Sequence, residues 1–242
     1  ERNSMRKLFV CLLVMLVVAP VWAAAPETEE QKTIYALGVH MARQLSVFNL
    51  SVEEFELVKE GMMAVATGKK PLAEPEEYGQ NINALAQSRM QAAAKKNKEA
   101  AALFLAKEAA VHGARKTASG LVYQELRAGT GTMPKASDTV KVHYVGTFID
   151  GNEFDSSVRR GEPAEFPLGQ VIPCWTEGVA MMKAGGKARL ICPSDIAYGD
   201  EGRPPVIPGG AALVFEVELL DVKSPATPAE SPKAAPKAGK KK

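Results

Sequence analysis

One stretch of this 242-residue chain limits the architectures open to it more than any other. From Glu76 to about Arg115 there is no proline, Gly79 and Gly113 are the only glycines, and Ala, Lys, Glu and Gln predominate. Roughly forty such residues, rising about 1.5 Å each, make a helical rod of about 60 Å. A rod of that length does not fit inside a small domain, so the segments on either side of it have to fold as separate bodies. Its apolar residues, Ile82, Leu85 and Met90 and then Leu103, Phe104 and Leu105, are too sparse for a continuous coiled-coil seam. The middle of the helix is therefore expected to be solvated and the helix to act as a spacer. The chain then divides into residues 1–25, a helical region 26–74, the connecting helix 75–115, a second folded body 116–223 and a tail 224–242.

The second body opens with a hinge from Gly113 to Gly120 and a first strand within SGLVYQEL. Val140, Val142 and Tyr144 alternate as in a half-buried strand, and Leu213, Phe215, Val217 and Leu219 do the same near the end. Between them a short amphipathic helix carries Trp175, Val179 and Met182 on one face. These elements predict a small antiparallel sheet wrapped on one helix. The residues available to line a pocket between sheet and helix are Tyr144, Phe154, Phe166, Val171, Ile172, Trp175, Tyr198, Ile207 and Phe215, with Asp155 and Arg160 as the charged candidates. Such a pocket holds a compact apolar group. Taken singly, each has a plainer reading: a Trp between helix and sheet is usually core, and Asp155 beside two serines or Tyr198 before Gly199 usually serves a turn. His40, His112 and His143 are scattered without neighbouring Cys or carboxylate patterns, so no metal site and no cofactor are expected. No Ser-His-Asp arrangement or phosphate-cradling glycine loop is visible.

The runs VHYVGT, FDSS, VIPCW, AYG and LVFEVELL occur in an order and spacing that resemble the FKBP-type peptidyl-prolyl cis-trans isomerases over about a hundred residues. The whole chain is similar to the bacterial two-domain branch typified by Mip and FkpA. The resemblance implies an α+β protein: an all-helical N-terminal dimerisation region, a long connecting helix, then an FKBP-like antiparallel sheet wrapped on a short helix. It implies acceleration of X-Pro rotation by Tyr144, Phe154, Asp155, Trp175, Tyr198 and Phe215. Arg160, Phe166, Val171, Ile172, Val206 and Ile207 are its implied substrate-binding residues. In the family's arrangement Trp175 is the floor under the prolyl ring, Tyr144, Phe154, Ile207 and Phe215 are walls, and the Ile172 N–H and Tyr198 phenol grip flanking carbonyls. Ala164 departs from the small eukaryotic members, which carry a pocket aromatic there.

Ahead of the long helix, Arg6 and Lys7 precede an apolar run from Leu8 to Val18, and small residues follow at Ala23 to Ala25. This is the layout of a secretory signal, with Met5 the initiator, Glu1 to Ser4 an upstream extension, cleavage near Ala23 to Ala25, and Cys11 removed with the signal. An exported, periplasmic protein without a stable membrane anchor is expected. With 30 basic and 28 acidic residues the chain has no strong electrostatic pull on nucleic acid, and none is expected as a partner.

Ile34, Leu37, Met41 and Leu45 form one helical stripe, and Phe55, Val58, Met62 and Val65 form another after a Ser51 cap with Glu54 three residues on. Two short helices cannot bury such stripes alone. An ordinary intramolecular bundle would do so, while the resemblance implies a homodimer through these helices, with Met62 and Met63 at a forgiving interface. Clients would be proline-containing unfolded or nascent exported proteins, with chaperone activity beside isomerisation. A proline-recognising chaperone whose helices do the main work is the alternative. Family members often have glycine at position 174; here Cys174 and Cys192 are either a disulfide, as an oxidising compartment invites, or two buried thiols. After Val222 the Pro, Ala and Lys-rich sequence predicts a disordered basic tail.

Overall fold

The computed structural model describes residues 25–225. The expected signal segment up to residue 24 and the tail from residue 226 on lie outside the described residues. The described residues divide into two compact units, one running up to Met41 and the other from Ala42 on. Most of helix α1, Glu29–Gln44, belongs to the first. Thr28 caps it: the Gln31 N–H donates to the Thr28 Oγ1 at 3.1 Å and the Thr28 N–H donates back to Gln31 Oε1 at 3.1 Å. No residue of α1 is buried, and Ile34, Tyr35, Leu37 and Met41 are exposed.

The second unit begins with a 3-10 turn, Leu45–Phe48, and helix α2, Val52–Ala66. Ser51 and Glu54 make a reciprocal capping box that satisfies the first free N–H groups of α2, as the Ser-x-x-Glu spacing predicts. Helix α3, Pro75–Ala109, is 35 residues long with proline at its first turn, where a missing N–H costs nothing. It stops short of Arg115 because Gly113 takes a φ of 81°, and Ala114–Lys116 is drawn into strand β1.

The remaining elements are β2 (Val122–Arg127), β3 (Thr139–Phe148), β4 (Glu153–Ser156), α4 (Ser157–Arg160), β5 (Ala164–Pro167), α5 (Pro173–Ala180), β6 (Lys187–Cys192) and β7 (Leu213–Lys223). All strand pairs are antiparallel, in the order β1-β2-β6-β7-β3-β4, with β5 also on β3. Strand alternation gives the sheet two apolar faces. On one, Leu121, Tyr123, Val140, Val142, Leu190, Leu213, Val217 and Leu219 close over Trp175 and Val179 of α5 and over Met182, which lies just beyond the end of that helix. Residues of opposite parity, Val122, Ile191 and Val214, pack on the back against Phe104, Leu105 and Ala109 of α3.

Helix α3 therefore corrects the spacer expectation. Ala94, Ala101 and Glu108, seven residues apart and so on one side of the helix, are buried, and Glu108 pairs with Arg189 of β6. The middle of the helix docks on its own domain because alanine lets two backbones approach closely, a contact that a count of large apolar residues does not register. Among the described residues no helix is long and apolar enough to cross a membrane.

Cys174, in the first turn of α5, is bonded to Cys192 at the end of β6 with Cα atoms 5.7 Å apart. Both residues are fully buried. The loop they close, with a sequence separation of 18, is worth about 3 kcal/mol in the chain-entropy account. Replacing both cysteines by alanine is expected to lower unfolding stability in urea by about that amount. The wild type under reducing conditions should behave likewise. An unchanged midpoint, or two alkylatable thiols in the unreduced, unfolded protein, would contradict the bond's role.

Candidate active site

The convergence of aromatic residues follows from strand register. In β3, Gly146 faces Phe215 of β7 on one side and Asp155 of β4 on the other. A methyl group at Gly146 would lie 2.7 Å from the Phe154 ring and 3.0 Å from the Phe215 ring. Glycine at this position is what allows the two phenyl groups to meet, with centroids 5.6 Å apart and planes at 88°. Two residues earlier Tyr144 points to the same face, and Phe166 arrives from β5 with its centroid 6.1 Å from the Tyr144 ring.

Trp175 stands at the centre of this set. Its ring meets Tyr144 at 5.2 Å, Phe166 at 5.7 Å and Phe215 at 5.3 Å, each close to perpendicular. Edge-to-face contacts of this kind contribute about 0.5 to 1.5 kcal/mol each beyond area burial. The indole is 4% exposed, and its Nε1 finds no hydrogen-bond acceptor among the described residues. The floor of the site is thus a buried indole ring packed edge-on against aromatic neighbours. Ile172 is the N-cap of α5, and its carbonyl accepts from the N–H groups of Trp175 and Thr176.

Above the indole is a hollow of about 400 Å³ lined by Tyr144, Phe154, Asp155, Phe166, Gln170, Val171, Ile172, Trp175, Tyr198, Arg203 and Phe215. Its one carboxylate is held in place. The Tyr144 hydroxyl donates to Asp155 Oδ2 at 2.5 Å, Arg160 donates to Asp155 Oδ1, and Arg160 Nη2 donates to Tyr144 Oη at 3.0 Å. The guanidinium also sits over the Tyr144 ring, 5.6 Å from its centroid. Partial burial pushes the Asp155 carboxyl up, but the hydrogen bonds from Tyr144 and Arg160 outweigh it and leave the pKa below the usual carboxylate value. Burial and the neighbouring carboxylate raise the Tyr144 phenol. The group thus remains a fixed ion pair at neutral pH, a polar rim on an otherwise apolar cavity. Ser157, fully buried, steadies it from behind: its Oγ accepts from the Tyr144 N–H at 2.8 Å and contacts His143 Nδ1 at 3.1 Å. His143 accordingly faces away from the hollow.

Of the residues singled out in the sequence, Tyr144, Phe154, Asp155, Phe166, Val171, Ile172, Trp175, Tyr198 and Phe215 share this cavity, and Arg160 reaches it through Asp155. Val206 and Ile207 do not line it. The isolated bridge between Arg203 and Ile207 folds the segment back, and alternation sends the two side chains opposite ways. Ile207 is buried in the core behind the hollow, while Val206, 54% exposed, borders a different depression with Phe148 and Pro208. Gln170 and Arg203 line the hollow as well, Arg203 coming from the loop after Tyr198 where the family's sequence varies and tunes substrate preference. Arg203 lies in the same loop as Tyr198, a positional signal, whereas nothing in the sequence marks Gln170.

Residues 130–220 match the family model described as FKBP-type peptidyl-prolyl cis-trans isomerase, and residues 30–124 match the domain amino terminal to it. FkpA of Aeromonas hydrophila is 40% identical over 227 residues, covering 87% of this chain and 84% of that protein. The FKBP-type 22 kDa peptidyl-prolyl cis-trans isomerase of Escherichia coli is 37% identical over 81% of this chain and 97% of its own length. The crystal structure of FkpA from Escherichia coli superposes with a TM-score of 0.63 at 38% identity, covering 83% of this chain and 99% of that one.

Because Asp155 has a lower pKa folded than unfolded, its stabilising contribution is complete above the ordinary carboxylate range and is lost as pH falls through the folded value. Unfolding midpoints of the wild type and Asp155→Asn, followed by Trp175 fluorescence, should run parallel between about pH 6 and 8 and converge below about pH 4. A wild-type advantage that stayed constant into strong acid would show that the Asp155 charge is not what the site stabilises.

Proposed function

Because the chain belongs to the FKBP-type family and is a peptidyl-prolyl cis-trans isomerase, we propose that the hollow over Trp175 is where it turns the X-Pro bond. The bond resists rotation because twisting it breaks amide resonance, with a barrier of about 18 to 20 kcal/mol for ordinary peptide bonds. At proline the uncatalysed exchange takes tens of seconds or more. No bond has to be broken, so the protein's task is to hold the twisted form better than the planar one. In the twisted form the nitrogen keeps its lone pair and the carbonyl loses charge separation. A water-poor aromatic cavity favours that less polar state. Trp175 lies under the prolyl ring, Tyr144, Phe154, Phe166 and Phe215 wall it, and the Ile172 N–H and Tyr198 hydroxyl hold carbonyls on either side. Asp155, fixed by Tyr144 and Arg160, edges the rotating bond without taking up a proton at neutral pH. The observation that carries this assignment is the perpendicular packing of three rings on one buried indole beneath an open cavity.

The helical region supports a homodimer. Apolar side chains on α1, and on α2 at Leu57, Met62, Met63 and Val65, are exposed in the single chain, and neither helix buries a residue. Exposed apolar side chains on each of these helices are covered by a second copy of the chain. The same exposed side chains support the second reading, in which client chains bind the helices and turnover is incidental. Export to the periplasm, with cleavage near Ala23 to Ala25, is proposed from the apolar run and is consistent with a buried disulfide. Clients are then unfolded exported chains containing proline.

Trp175→Ala is expected to lower kcat/KM for an X-Pro peptide by roughly 100-fold, because the surface under the prolyl ring is lost. Circular dichroism would verify the fold. Full activity in that variant would remove the assignment. In Leu37→Glu/Met41→Glu the molecule should sediment as a monomer with peptide turnover within about twofold of wild type. Persistence of the dimer would place the interface elsewhere. If Trp175→Ala still suppresses client aggregation and the double glutamate variant does not, the helices carry the chaperone work.

A further inference from the structure

The loop from Ser194 to Gly210 brings Tyr198 and Arg203 to the hollow, yet it has no strand partner beyond its own Arg203–Ile207 bridge. It is braced internally by hydrogen bonds from Gly199 to Ser194, Gly202 to Tyr198 and Gly210 to Gly199. Ile207 and the partly buried Ile196, Ala197 and Tyr198 seat it on the core, and one face of α3 makes the polar and backbone contacts that fix it from the other side. Lys98 Nζ lies 2.9 Å from Asp195 Oδ1 and 2.5 Å from Asp200 Oδ1, so the two carboxylates on either side of Tyr198 share one ammonium. They hold the lysine above its usual pKa. Asn97 Nδ2 donates to the Gly209 carbonyl at 2.8 Å. Gly210, with φ of 72°, lies against the α3 backbone so closely that a methyl group there would be 2.2 Å from the Ala94 carbonyl oxygen. Residues 94, 97 and 98 are spaced i, i+3 and i+4, which places them on one helical face.

We propose that Lys98 and Asn97 are positioning residues for the isomerase, acting through Asp195, Asp200 and Gly209 to hold Tyr198 and Arg203 toward the bound proline. This makes the connecting helix part of the machinery that shapes the site. The proposal rests on the reading that the hollow over Trp175 is the reaction site. The Lys98 pairs are largely exposed, with side chains 39%, 74% and 64% accessible, and ion pairs of that kind contribute little to global stability. The consequence of breaking them therefore falls on the orientation of the loop rather than on folding.

The experiment uses the full chain and compares Lys98→Glu, Lys98→Arg and the charge swap Lys98→Glu/Asp195→Lys/Asp200→Lys, with Trp175→Ala and Tyr198→Phe alongside. Lys98→Glu is expected to lower kcat/KM for an X-Pro peptide by roughly 3- to 10-fold with its urea midpoint unchanged. Amide exchange should speed up within residues 195–210. Lys98→Arg and the charge swap should recover most of the activity. About 1 M salt should bring the wild type toward the Lys98→Glu value while leaving that variant little changed. Wild-type kcat/KM in Lys98→Glu would overturn the proposal, as would a loss that follows global destabilisation and is not recovered by the swap. If Trp175→Ala and Tyr198→Phe are themselves fully active, the site assignment has failed instead.

Discussion

The perpendicular packing of Trp175 against Tyr144, Phe166 and Phe215 requires α5 to stand at a fixed height and angle over the sheet, and most of the domain serves that constraint. Val179 extends the buried face of the helix, Met182 packs on the same core just beyond its end, and the Thr176 hydroxyl donates to the Leu168 carbonyl at 2.7 Å, tying the helix to the turn before it. Cys174 precedes the tryptophan directly, so the covalent link to Cys192 acts at the residue next to the floor. Cys192 in turn ends β6 immediately before the segment that carries Tyr198. One crosslink thus holds together the starting points of the floor and of the opposing loop.

The second requirement is that the cavity be apolar without being silent electrostatically. A bare carboxylate in a cavity lined by aromatic rings would be costly to keep charged, and burial alone would raise its pKa. Tyr144 and Arg160 resolve this by donating to both oxygens of Asp155. Tyr144 is shared between the two sides of the site, its ring packed on the indole and its hydroxyl on the carboxylate. Moving that ring would disturb the wall and the rim together, which explains why its own backbone N–H is pinned by the buried Ser157.

The hollow was largely legible in the sequence because it is built on alternation and on aromatic residues: Tyr144, Phe215 and the Trp175, Val179 pair are where period-two and helical spacing put them, while Met182 joins the same core from beyond the end of the helix. The Ser51–Glu54 cap was legible for the same reason, a local hydrogen-bond pattern with a fixed spacing. What was not legible depends on contacts distant in the chain. Val206 and Ile207 are adjacent apolar residues, and only the bridge to Arg203 decides which turns inward. The docking of α3 rests on Ala94, Ala101 and an ionic pair at Glu108, none of which stands out in a sequence rich in alanine and charge. A signal was present on the partner side: Val122, Ile191 and Val214 are apolar at the parity that should have faced solvent. Strands apolar on both faces require a cover on both.

That cover changes the mechanical character of the connecting helix. A solvated spacer transmits nothing but distance, whereas α3 is held at three points along one rigid element. Near its first half Arg89 pairs with Glu54 of α2 at 2.5 Å. In its middle Asn97 and Lys98 hold the Tyr198 loop, and at its end Glu108 and Phe104 lie on the back of the sheet. An α-helix with its hydrogen bonds intact does not bend sharply without a proline or an inserted group, and none interrupts residues 76–109. A displacement of α2 that carried Arg89 with it would consequently reach Lys98 through about two and a half turns of helix. The contacts that hold the Tyr198 loop are thus continuous along α3 with the one that holds α2, and the energy needed to separate the loop from the helix is set by packing at Ala94 and Ala101 more than by the exposed ion pairs.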